Sequence, residues 1–181
     1  MRRRRPPGFA HSACAAIALL LLLQGQASAQ DVTEPALKAA FIYNFAKFTE
    51  WPADVVKAAE PFVVCVLGDA AVGDALEQAV KGRLLVGHSI AVSHVTPAGP
   101  QRVCHILYVS GVLAGQAAQL VAGLRDVPVL TISDLEGFTE LGGIARFFFD
   151  HGQLRFSVEL GAAKRARLQI SSRLLALAKT R

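Results

Sequence analysis

In Pro61-Phe62-Val63-Val64-Cys65-Val66-Leu67-Gly68-Asp69, an unbroken apolar run stops at a glycine and an aspartate. A run this short and continuous reads as a strand buried on both faces. Gly68 ends it, and the Asp69 carboxylate can cap a helix that follows to about Val80. The pattern returns downstream: residues 103–109 form a second apolar run, 113–124 a helical stretch and 127–132 a third run. Strands alternating with helices predict a parallel sheet covered on both faces. Between the first two runs, residues 84–95 are interrupted by Gly87-His88, which predicts two short strands or a bent one. Beyond residue 132 the period changes. Residues 144–149 and 154–158 flank Asp150-His151-Gly152, a turn signal for an antiparallel hairpin. The expected fold class is α/β, a mostly parallel central sheet flanked by helices, with a C-terminal antiparallel hairpin and a helical tail.

The tail contains a conflict. Drawn as one helix over residues 161–181, Ala163, Ile170, Leu174, Leu177 and Ala178 form an apolar arc, and Arg167 lands in the middle of it. A charged head there is costly unless paired. A break near Arg167 is therefore expected, with Ser171 or Ser172 capping a second helical piece.

Upstream of the first strand, residues 38–52 read Lys-Ala-Ala-Phe-Ile-Tyr-Asn-Phe-Ala-Lys-Phe-Thr-Glu-Trp-Pro. Leu37, Phe41, Phe45 and Phe48 recur at steps of four, four and three, the spacing of one helix face laid on a core, and Pro52 stops the helix. Asn44, Lys47 and Trp51 share the adjoining flank at i, i+3 and i+7. Two readings stand side by side. Trp51 closes the edge of the core, or the three residues form a partner-binding surface.

The chain opens with an export address. Arg2 to Arg5 make a positive segment, residues 13–23 an apolar one too short to span a bilayer comfortably, and Ala27-Ser28-Ala29 a cleavage signal. Residues 1–29 are thus expected to be a signal peptide cleaved before Gln30, leaving one domain over residues 30–181 with no membrane insertion. The 181-residue chain carries 19 Lys+Arg against 14 Asp+Glu, and losing the four arginines leaves 15 against 14. A balance of +1 carries no nucleic-acid footprint.

Residues 38–52 resemble the opening motif of the YfiR family, periplasmic proteins that repress membrane-bound diguanylate cyclases. Later blocks agree, in the family's order: residues 62–68, 104–110 and 129–134, Gly142-Gly143, and residues 171–175. Two positions depart from the family pattern: Glu159, where relatives usually have asparagine, and Arg167, where they usually have glycine. The mature chain keeps two cysteines, Cys65 and Cys104, each in a strand-like run. Export into an oxidising compartment makes a single disulfide the natural expectation. Two buried free thiols are the alternative, and the resemblance favours the bridge.

The chemistry-bearing residues are sparse. Gly68-Asp69-Ala70-Ala71-Val72-Gly73 is neither a dinucleotide fingerprint nor a phosphate-binding loop. His88, His94, His105 and His151 show no metal-ligand spacing, so solvated histidines and no metal are expected. Ser110-Gly111 and Ser133-Asp134 lack a nucleophile elbow, so no catalytic residue and no cofactor is expected. Two functional classes remain. The resemblance implies a non-enzymatic periplasmic regulator that binds the periplasmic domain of a membrane-bound diguanylate cyclase or sensor kinase, and a homodimer is compatible with it. The alternative is a small-molecule sensor with ligand-binding residues Gly68, Ser110, Ser133 and Asp134 at the carboxyl ends of the parallel strands, where open sheets place ligands.

Overall fold

The computed structural model describes residues 32–179, so the expected signal peptide and its cleavage site lie outside the described residues. Helix α1 spans Glu34–Lys47. Thr33 caps it, its hydroxyl accepting the Ala36 N–H, and Glu34 and Lys47 complement the helix dipole at its two ends. Strand β1 (Thr49–Glu50) follows, then β2 (Phe62–Leu67) and α2 (Ala70–Val80). Asp69 Oδ1 accepts the Val72 N–H at 3.1 Å, the cap expected from sequence. Strands β3 (Leu84–Leu85) and β4 (His88–Val95) form the two expected short strands, turning through Val86 and Gly87, both at positive φ. After a 3₁₀ turn come β5 (Ile106–Val109), α3 (Ala114–Gly123) and β6 (Leu130–Ser133). Strands β7 (Ala145–Asp150) and β8 (Gln153–Val158) make the hairpin, through His151 and Gly152, also both at positive φ.

Seven strands form one sheet in the order β3-β4-β2-β5-β6-β7-β8. The inner pairs, from β4 through to β7, are parallel, and β3 and β8 close the edges antiparallel. Alternation sends Val64, Val66, Ile106, Tyr108 and Ile132 to the face covered by α1 and α2. It sends Cys65, Leu67, Leu107 and Val109 to the opposite face, against Leu120 of α3. Four edge-to-face or tilted ring contacts, at 5.0–6.0 Å between centroids, seat Phe41 and Phe45 on Phe147 and Phe156 of the hairpin.

The buried face of α1 is rotated from the expected one. Lys38, Ala39, Ile42, Phe45 and Ala46 are buried, while Leu37, Phe41 and Phe48 flank them half-buried. The helix also ends early. The Phe48 N–H closes the last turn on the Asn44 carbonyl, and Thr49–Glu50 pair antiparallel with β9 (Gln169–Ile170). A β-branched threonine and a tertiary strand pair override the helical spacing that runs on to Pro52. Trp51 therefore does not share a helical flank with Asn44 and Lys47.

The tail breaks where the arginine predicts. Helix α4 spans Leu160–Arg165, and Arg167 follows its cap at φ +58°. Leu168 N–H bonds the Ala163 carbonyl and Arg167 N–H the Lys164 carbonyl, which together make a Schellman motif. Ser171 then caps α5 (Ser172–Leu175) by accepting the Arg173 N–H. Left-handed geometry strains any residue with a Cβ, and the exposed Arg167–Asp54 pair at 3.6 Å returns little. Arg167→Gly is expected to stabilise the chain by about 1 kcal/mol. A higher urea midpoint at unchanged m-value would record it; a lower midpoint would show that the ion pair outweighs the strain.

Candidate functional site

The carboxyl ends of β5 and β6 carry a polar cluster tied to α1. Ser110 and Asp134 continue the face of Tyr108 and Ile132, so both side chains reach toward α1. Asp134 Oδ2 accepts three donors: Lys38 Nζ at 2.7 Å, the Tyr108 hydroxyl at 3.0 Å and the Ser110 hydroxyl at 3.1 Å. Lys38 Nζ also meets Glu34 Oε1 at 2.7 Å, one helical turn back. Lys38 is only 5 % exposed. Burial alone would pull its ammonium down, but the bonds to Asp134 and Glu34 outweigh that and hold it above the ordinary lysine value. Burial likewise pushes the Asp134 carboxyl up, and the donors from Lys38 and Ser110 reverse this and hold it below its ordinary value. Burial, and then the Asp134 charge, push the Tyr108 phenol up, so it stays a donor. A carboxylate held this firmly in its charged form is a poor general base, and Ser110 faces no histidine here. What the cluster does is clamp the first half of α1 to the sheet.

The sequence places Gly68, Ser110, Ser133 and Asp134 in one region; the structure joins the side chains of Ser110 and Asp134 alone, and Gly68 meets Ser110 through the backbone. Ser133 lies on the opposite face, fully buried, its hydroxyl accepting the Leu135 N–H. Gly68 sits at φ +89°, and a Cβ there would lie 1.9 Å from the Ser110 carbonyl oxygen. Only glycine permits that approach. The strand order reverses between β2 and β5, the position where open sheets place ligands, and here backbone packs directly on backbone. Lys38, the residue that completes the cluster, gave no local signal beyond its place one turn before Ile42.

The other expected surface lies on and below the end of α1. Asn44 and Lys47 are exposed. Lys47 Nζ stands 5.6 Å from the Tyr43 ring centre and 5.7 Å from that of Phe48, and the Arg83 guanidinium lies 5.1 Å from the Tyr43 ring centre. Trp51 is half-buried below. Its indole N–H donates to the carbonyls of Pro128 at 3.1 Å and His105 at 3.3 Å, and its ring meets Phe62 edge-on.

His105, expected to be solvated, is instead only 8 % exposed. Its Nδ1 accepts the Val63 N–H at 2.8 Å and its ring stacks on Phe62. That geometry puts the ring hydrogen on Nε2. Cys65 and Cys104 are joined, with Cα atoms 5.7 Å apart, tying β2 to the residue before His105.

Among the described residues, no group of three or more His, Cys, Asp and Glu side chains could hold a metal ion. No helix among them is long and apolar enough to cross a membrane. A search of curated proteins returns no match to the chain. The family comparison does: the YfiR/HmsC-like family matches residues 35–179, from the second residue of α1 to the last described residue. The chain belongs to the YfiR/HmsC-like family, at family level a family of periplasmic regulators of diguanylate cyclases.

Proposed function

We infer that this chain is a periplasmic regulator that docks on the periplasmic domain of a membrane-bound diguanylate cyclase and restrains it. Family membership supports the class of function. The observation that carries the docking surface is the uncovered flank of α1, where Asn44 and Lys47 stand exposed beside the Tyr43 ring and Arg83. Aromatic surface with a cation and an amide at its edge is the composition of interface anchors. The Lys38–Asp134 clamp fixes the helix that presents it, and Trp51, half-buried beyond the end of that helix, is the third residue proposed for the surface. A sensor kinase with a similar periplasmic domain is the other partner of this class.

Lys47→Glu separates docking from folding. Its ammonium is exposed and makes no ion pair that the structure shows, so reversal should cost no more than about 2 kcal/mol, from the lost ring contacts and the acid placed at the end of the helix. The variant is expected to be exported and folded, to lose binding to the membrane partner, and to raise cellular cyclic-di-GMP. Unchanged binding and unchanged cyclic-di-GMP would move the docking surface elsewhere on the molecule.

A further inference from the structure

The two edges of the seven-stranded sheet are finished differently. At one edge the C-terminal segment lies along β8, the Lys179 N–H donating to the Phe156 carbonyl at 2.9 Å. At the other edge β3 pairs only with the first two residues of β4, Leu84 opposite Ser89 and Leu85 opposite His88. The two-residue turn makes Leu85 and His88 the pair that exchanges both backbone bonds. Alternation then puts Arg83 opposite Ile90, so the hairpin covers β4 as far as residue 90. Residues 91–95 pair with β2 on one side and, among the described residues, with no strand on the other. The same alternation turns the N–H and C=O groups of Val92 and His94 outward, and those of Ala91, Ser93 and Val95 toward β2.

A free edge is a template for another strand, and folded chains guard it with lysine, proline or an inward charge. From His88 to Val95, β4 carries no lysine, arginine, acid or proline. The bulkiest polar side chain of the free stretch, His94, is laid back on α2. A Cβ on Gly73 would stand 2.2 Å from its Cε1, and its Nε2 is 3.7 Å from Glu77 Oε1. Val92 packs on the core shared with α2, and Val95 on the core of the opposite face.

We propose that residues 91–95 are the interface of a homodimer, with β4 of one copy pairing antiparallel with β4 of a second copy across a two-fold axis at Ser93. Directly opposed residues share a face of the sheet, so the axis must fall on a residue and not between two. Centred on Val92, Val95 of the second copy would fall opposite Ser89, where Leu84 already sits. Centred on His94, only residues 93–95 would pair. Centred on Ser93, the whole free stretch pairs. Val92 then lies opposite His94 of the second copy and exchanges both backbone bonds with it, Ala91 lies opposite Val95, and the two sheets run on as one. This interface does not rest on the docking reading of α1. An overlap this short falls below the standard interface size, so the dimer is a weak one, with a dissociation constant of about 1 µM or more.

Sedimentation equilibrium from about 1 µM to about 1 mM is expected to show a reversible monomer–dimer equilibrium. Amide hydrogen exchange, read residue by residue by NMR, locates the contact in the unmodified chain. The Val92 and His94 N–H groups should exchange fast when dilute and become protected as concentration rises. Those of Ala91 and Ser93, bonded to β2, should be protected throughout. Ser93→Lys sets two lysines directly opposite each other and should raise the dissociation constant by about tenfold or more, with unchanged circular dichroism. A monomer at every concentration, a dimer in which Val92 and His94 stay unprotected, or a folded Ser93→Lys variant that dimerises like the wild type would overturn the proposal. Protection of Val92 and His94 that appears only when the periplasmic domain of the cyclase is added would overturn it too, and would give the edge to that partner.

Discussion

Lys38→Met is expected to destabilise the folded chain by about 3 kcal/mol, the low end for breaking a buried ion pair. The methionine keeps the stem of the lysine but leaves Asp134 with two hydroxyl donors and no counter-charge. Asp134 keeps 27 % of its side-chain exposure, so water recovers part of the loss. Lys38→Met with Asp134→Asn should lose less than the two single variants added together, because the second change removes the stranded charge. The pH dependence has a definite sign. The Asp134 carboxyl is held below its ordinary value, so its contribution is complete above the unfolded value of about 3.9 and is lost as pH falls through the folded one. Lys38 is held above its ordinary value, so its contribution is complete below about 10.4 and is lost as pH rises through the folded one. Urea titrations at neutral pH and in acid read the loss at the carboxylate. A gap between wild type and Lys38→Met that persisted below the carboxylate range would show that the methionine acts through packing and not through the pair.

The parts of the fold legible in the sequence are those whose cause is local. The run from Phe62 to Leu67 is a strand because it is short, apolar and stopped by Gly68, and Asp69 caps the next helix from three residues away. Arg167 exposed the break in the tail because a charge in an apolar arc is a contradiction that only a change of direction resolves. Long-range causes were not legible. Lys38 reads as a solvated helix residue until a carboxylate from the far end of β6 is brought to it by the sheet. The end of α1 reads as Pro52, yet the pairing of Thr49 with Ile170 turns the chain earlier, and with it the direction of Trp51. His105 has the same history. Nothing beside it in sequence says that it accepts the Val63 N–H, since that contact exists only once β2 and β5 are neighbours. Ser110 and Asp134 are legible in the sequence as strand-end residues, whereas the contacts they make needed the folded topology.

Removing the bond between Cys65 and Cys104 is expected to cost about 4 kcal/mol on the chain-entropy account, for a sequence separation of 39 residues. The closed loop holds α2, β3 and β4, so it keeps close at hand the helix that supplies Val72 and Leu76 to the core and a strand that pairs with β2. Both cysteines are nearly inaccessible, at 0 % and 3 % exposure, so a reductant meets the bond only when the chain opens. Reduction in the native state should accordingly be slow, and the loss of stability is better read from Cys65→Ala with Cys104→Ala, which removes the bridge without leaving an odd thiol. That variant should unfold at a clearly lower urea midpoint, with a larger m-value where the freed loop lets the unfolded chain expand. Intact mass after alkylation, with and without reductant, checks the bond itself in protein recovered from the periplasm. Two freely alkylated thiols in the unreduced sample, or a double variant within about 1 kcal/mol of the wild type, would mean that the two cysteines serve this fold as packed side chains and not as a tie.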